Sequence, residues 1–101
     1  MDIDAYRLWQ GWQQMTYPSR GLPERDIDRS VLIRIDGTLA PIFERTFGQR
    51  PKGHKLSAEA RATLESCQAE LDQIAPALAR DARRYFGRVK LLIRLVLAAK
   101  E

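Results

Sequence analysis

Two apolar stripes in tandem, one from Leu56 to Ile74 and one from Leu78 to Ala99, constrain this chain more than any other feature of it. Leu56, Ala60, Leu64, Cys67, Leu71 and Ile74 recur at spacings of four, four, three, four and three, the mark of one helix face. Ser57 stands where an N-cap belongs, with Glu59 in the first turn. Beyond Pro76 the pattern resumes one residue out of phase as Leu78, Ala82, Tyr85, Val89, Leu92, Val96 and Ala99, which predicts a second helix. Proline lacks the N–H that a helix interior needs and disfavours helix at the residue before it. With no Gly or Asn beside Pro76, the pattern favours a kink or sharp elbow over a full reversal.

Charge follows the same division. The net charge is +4, but residues 1 to 56 carry nine basic and seven acidic groups, residues 57 to 75 one and four, and residues 76 to 101 seven and two. The last two predicted helices are therefore opposite in sign, which favours their pairing geometry more than their stability, since exposed pairs contribute tenths of a kcal/mol each. At roughly 100° per residue, Arg80, Arg83, Arg84, Arg88, Lys90 and Arg94 fall on the side away from the apolar stripe.

Read from its start, the chain predicts a helix capped by Asp2 or Asp4 and running to about Thr16, with Ala5, Leu8, Trp12 and Met15 on one face and Tyr6 and Trp9 beside it. Trp9 and Trp12 have two readings: core residues, since large rings bury the most area, or partner-facing anchors of the kind found in interface hot spots. Tyr17 to Pro23, with Pro18, Ser19, Gly21 and Pro23, is a connection. Pro23 suits the first turn of a second helix carrying Ile27, Val31, Leu32 and Ile35. A strand over Val31 to Ile35 is the rival, weakened because Pro41 would spoil its hairpin partner. On the helical reading Gly37 closes this element, Thr38 caps a short third helix with Leu39, Ile42, Phe43 and Phe47, and Gly48 ends that one. Gly48 to Lys55 then reads as a basic loop holding Arg50, Lys52 and Lys55.

The expected architecture is an all-α bundle of about four to five helices in one domain: short helices over 1–47, the basic loop over 48–56, and long C-terminal helices over 57–100. The longest nearly apolar run, Leu91 to Ala99, contains Arg94 and is too short to span a bilayer, and the start has no leader-like pattern, so a cytoplasmic protein without a membrane partner is expected. The single cysteine, Cys67, excludes an internal disulfide and lies on the apolar stripe.

The inventory of chemistry is short. His54 is the one histidine, and nothing in the sequence brings it to Cys67 as a nucleophile pair. No His, Cys and carboxylate cluster has ligand spacing, and no phosphate-binding glycine motif occurs. The pairs Asp2/Asp4 and Asp26/Asp28 would point about 200° apart on a helix, which suits capping and solvation better than one shared metal. The segment Arg25-Asp26-Ile27-Asp28-Arg29 resembles an Arg-Asp-x-x-Arg stretch of helical chorismate mutases. The long Arg- and Lys-bearing helix that precedes it there is replaced here by a short Trp-rich one, and no site is carried across.

No catalytic residue, cofactor or metal is therefore expected, and the functional expectations concern surface. The run Leu91 to Ala99 is apolar nearly all round, as in a helix covered on both sides. Leu91 and Leu95 should then meet a partner beyond the bundle, either another protein or a second copy in a homodimer, with Trp9 and Trp12 as further contacts; the rival is that the other helices wrap this end completely. The resulting reading is a non-catalytic adaptor, inhibitor or assembly factor. The alternative is nucleic-acid binding by Arg80, Arg83, Arg84, Arg88, Lys90 and Arg94, aided by Arg50, Lys52 and Lys55.

Overall fold

In the computed structural model, which describes residues 3–48 and 56–98, the chain is all-α. Helices α1 (Ile3–Gln13), α2 (Asp26–Phe47), α3 (Ala58–Ile74) and α4 (Arg80–Ala98) are joined in that order, with one 3₁₀ turn, Ala75–Ala77, between the last two. Cross-contacts give the directions. Tyr6 meets Phe47 while Trp12 meets Phe43, so α1 and α2 are antiparallel. Asp72 pairs with Lys90 while Arg61 donates to the Leu97 carbonyl, so α3 and α4 are antiparallel too. With α1 packed on α2 and α4, and α3 on the same two, the arrangement is an up-down-up-down four-helix bundle.

The core is the meeting of the stripes. Leu32, Ile35, Leu39 and Phe43 from α2, Leu64 and Leu71 from α3, and Phe86, Val89, Leu92 and Ile93 from α4 are all fully buried. Between α1, α2 and α4 the eight aromatic residues of the chain form one connected cluster, running from Tyr6 and Trp9 through Phe47, Phe43 and Trp12 to Tyr85, Phe86 and Tyr17. Each such pair contributes about 0.5–1.5 kcal/mol beyond its buried area. This is why α1 holds at all: 11 residues make a marginal helix alone, and its stability comes from seating two indoles in the bundle.

At 11 residues, α1 reaches only half as far as the 22-residue α2. The connection after it completes the wall. Pro18 and Pro23 are buried in it, Tyr17 and Leu22 pack against the core, and its carbonyls finish another helix: Ala79 N–H donates to Gly21 O and Ala82 N–H to Arg20 O, both at 3.0 Å. The first turn of α4 is thus capped from a distant segment. Gly21 has φ +81°, and a Cβ there would stand 1.7 Å from the Ala79 carbonyl oxygen. Both the backbone and the close approach demand glycine.

Several expectations are corrected. The break at Gly37 and Thr38 does not occur, because α2 is continuous from Asp26 to Phe47. Leu32, Ile35, Leu39, Phe43 and Phe47 form one buried stripe across the supposed boundary, and their burial outweighs the roughly 1 kcal/mol that a helical glycine costs. Pro41 is tolerated inside because the carbonyl it deprives and crowds is that of Gly37, four residues back. Both residues lie on the exposed side, where water can take the freed carbonyl. The rival strand over Val31 to Ile35 is likewise helix, and α2 starts at Asp26, leaving Pro23 in the connection.

Pro76 does interrupt the C-terminal stretch, but further than the elbow favoured from sequence: a 3₁₀ turn, the extended Leu78, Ala79 and then Arg80 at φ +50° bring α4 back along α3. Ser57 caps α3 as expected, accepting a hydrogen bond from Ala60 N–H at 3.0 Å. The basic loop with Arg50, Lys52 and Lys55, and with it His54, lies outside the described residues.

Candidate interaction surface on the last helix

The residues of α4 divide cleanly by face. Ala82, Tyr85, Phe86, Val89, Leu92, Ile93 and Val96 are buried, whereas Arg80, Arg83, Arg84, Gly87, Leu91, Arg94 and Ala98 are exposed. At roughly 100° per residue, Arg80, Gly87, Leu91 and Ala98 project within about 40° of one another, down the middle of the outer face. Arg84 and Arg88 border this strip on the side of α1, where the Arg88 guanidinium lies over Gly11, 2.6 Å from where a Cβ would be. Arg83, Lys90 and Arg94 border it on the side of α3, where Lys90 Nζ pairs with Asp72 Oδ1 at 2.7 Å. Asp81, at the start of the helix, is its one carboxylate.

Two of these cations are partly tied back. Lys90 is held by Asp72, and Arg83 Nε donates to the Leu78 carbonyl at 3.2 Å. The apolar residues expected at the surface behave differently from one another. Leu91 is 40% exposed, Leu95 is half-buried, and Leu92, Ile93 and Val96 are inside the bundle. The other helices therefore wrap most of the apolar end, and Leu91 protrudes from it.

Trp9 and Trp12, the other proposed contacts, are each 6% exposed and belong to the aromatic core. Trp9 stacks on Phe47 and Trp12 meets Phe43 edge-on, so neither ring is offered to a partner. Tyr6, which shares that end, is the α1 ring that reaches solvent.

A polar cluster that the sequence did not suggest lies beneath this face. Tyr85 donates its hydroxyl to Asp36 Oδ1 at 2.5 Å, joining α4 to α2 across the diagonal of the bundle. Burial first, and then the Asp36 carboxylate, push the Tyr85 phenol well above its ordinary pKa. The Trp12 indole N–H faces the same phenol and opposes that rise, but falls outside hydrogen-bond geometry. Tyr17 is raised for the same two reasons, burial and then the Asp36 charge. These phenols remain protonated at neutral pH, and the rings fill one another's space, so the cluster is cross-bracing rather than a pocket. Its sequence trace was a carboxylate, Asp36, directly beside the buried Ile35 in the middle of α2.

Cys67 is buried at the floor of a groove of about 300 Å3 between α2 and α3, bordered by Arg34, Thr38, Ser66 and Glu70. Burial, then the Glu70 charge, raise the thiol pKa, while Arg34 opposes them. A protonated, inaccessible thiol is a poor nucleophile. Arg34 itself is engaged by Glu70 at 2.6 Å. Among the described residues no group of three or more His, Cys, Asp and Glu side chains could hold a metal ion. No helix among them is long and apolar enough to cross a membrane. No protein-family model matches the chain, and neither the curated proteins nor the solved structures contain a significant match to it.

Proposed function

We propose that this protein is a non-catalytic docking module that binds another protein through the outer face of α4. The observation that carries the reading is Leu91, 40% exposed beside Gly87 on a strip bordered on both sides by cations. An apolar centre with a charged rim is the anatomy of a protein interface. Self-association through this face is less favourable than the sequence suggested, because two copies would bring like-charged borders together.

A second reading keeps the same surface and changes the partner to nucleic acid. It draws on the exposed Arg80, Arg83, Arg84 and Arg94, which could neutralise phosphates. Against it, Lys90 and Arg83 already have partners within the chain, and Leu91 offers nothing to a phosphate backbone.

Photo-crosslinking in the cell separates the readings, with the reactive residue at position 91 and a control at Ala69 on the outside of α3. Protein adducts from position 91 but not 69 are expected. Adducts to nucleic acid alone would transfer the face to the second reading, and equal labelling from both positions would remove the assignment of α4.

A further inference from the structure

Gly87 is the residue of α4 that the monomer does not account for. It sits mid-helix, where glycine is among the poorest formers, at an ordinary φ, and a Cβ added there would meet nothing within 4 Å. Gly37 in α2 is equally open, with the exposed Ile33 one turn before it, but it has a backbone reason in Pro41, and its exposed charged neighbours Arg34 and Glu44 are of mixed sign. Around Gly87 the borders have one sign. A notch next to a protruding Leu91, between two rows of cations, is the shape and charge complement of a helix with an apolar ridge and carboxylates on both flanks. A missing side chain at the crossing point lets two helix backbones approach closely, and Leu91 then becomes the knob beside the hole.

We infer that the outer face of α4 takes an acidic amphipathic helix of a different protein, crossing at Gly87 with its apolar ridge against Leu91. Its carboxylates meet Arg84 and Arg88 on one flank and Arg94 on the other. The inference rests on the docking reading and adds the chemistry of the partner. A second copy matches less well: its own α4 is basic, the outside of its α3 presents Ala62, Ser66 and Ala69 with no large apolar residue to serve as a ridge, and the exposed Ile27 and Ile33 of its α2 lie among arginines as well as carboxylates.

The test is an anisotropy titration of the full chain with labelled helical peptides. One has a leucine ridge flanked by glutamates, a second has glutamine for each glutamate, a third has serine for each leucine, and short duplex DNA is the fourth probe. The first should bind about tenfold or more tighter than the others, weakening with salt. Gly87→Gln fills the notch with a good helix former, so the fold should melt at or above the wild-type temperature while the first peptide weakens about tenfold. Leu91→Asp should weaken it similarly. Equal binding of the glutamine peptide would overturn the acidic partner while leaving a docking face. Equal binding of the serine peptide or DNA, indifferent to Gly87→Gln, would overturn the apolar seat. Failure of the first peptide to bind even at low salt would overturn the inference, whereas failure of the docking reading itself would appear as the absence of adducts from position 91.

Discussion

Tyr85 and Asp36 show how much one hydrogen bond can matter when it crosses a bundle. Tyr85→Phe removes the donor that faces a half-buried carboxylate, and should lower stability to urea at pH 7 by about 1–3 kcal/mol. The pH dependence has a definite sign. Because the folded state holds the phenol neutral and raises its pKa, this contribution is complete below the unfolded value of about 10 and is lost as pH rises beyond it toward the folded value. The wild type should therefore lose stability above about pH 10 more steeply than Tyr85→Phe, and parallel curves would remove the proposed cause. Gly21 is the other residue on which a long-range contact depends. Gly21→Ala combines a left-handed backbone with a Cβ driven into the Ala79 carbonyl, and should cost about 2 kcal/mol or more in the same assay. Neither role could be read from the sequence around these residues. Asp36-Gly37 reads locally as a turn, and Gly21 reads as an ordinary loop glycine.

Among the helices, α2 carries the largest departure from local preference. Its continuity through Gly37 and Pro41 is maintained by packing on both sides of the pair, and the proline leaves the Gly37 carbonyl without its helical donor. Pro41→Ala restores that donor at an exposed site and should raise stability by about 1–3 kcal/mol. A loss instead would mean that the proline ring itself is required for the core contacts of Phe43 and Phe47. The hairpin of α3 and α4 is set differently. Its stripes and the Ser57 cap were legible in the sequence, since both are local. Its reversal was not: the 3₁₀ turn is followed by a helix start capped by Arg20 and Gly21, residues some sixty positions away. The Lys90–Asp72 pair that joins the two helices is partly exposed and worth tenths of a kcal/mol, so it reports the orientation more than it holds it.

For the molecule as a whole, the surface separates what folds the chain from what it offers to others. Leu91→Asp alters a residue outside the buried set and should leave unfolding free energy within about 1 kcal/mol of wild type. Phe86→Ala, fully buried at the Tyr85 and Tyr17 end of the aromatic cluster, should cost about 3–5 kcal/mol. Light scattering should give a monomer at low salt, where the like-charged α4 faces repel. A dimer that persists there would move Leu91 into a self-interface. Trp9 and Trp12 should emit in the blue, as buried indoles do, and shift red only on unfolding.

By itself the sequence determined the helical class, the two C-terminal stripes, the core positions on them and the basic outer face, because these follow from side-chain type at a period of 3.6 residues. It also narrowed the tryptophans to core or contact. Only the tertiary structure decided between those two, carried α2 through Gly37 and Pro41, turned α4 back on α3, and bound Tyr85 to Asp36. Each of these outcomes depends on which distant surface buries a group or supplies its hydrogen bond, and local pattern does not contain that information. Leu91 combines both levels: its apolar character is plain in the sequence, and its isolation beside Gly87 exists only because the rest of the bundle covers its neighbours.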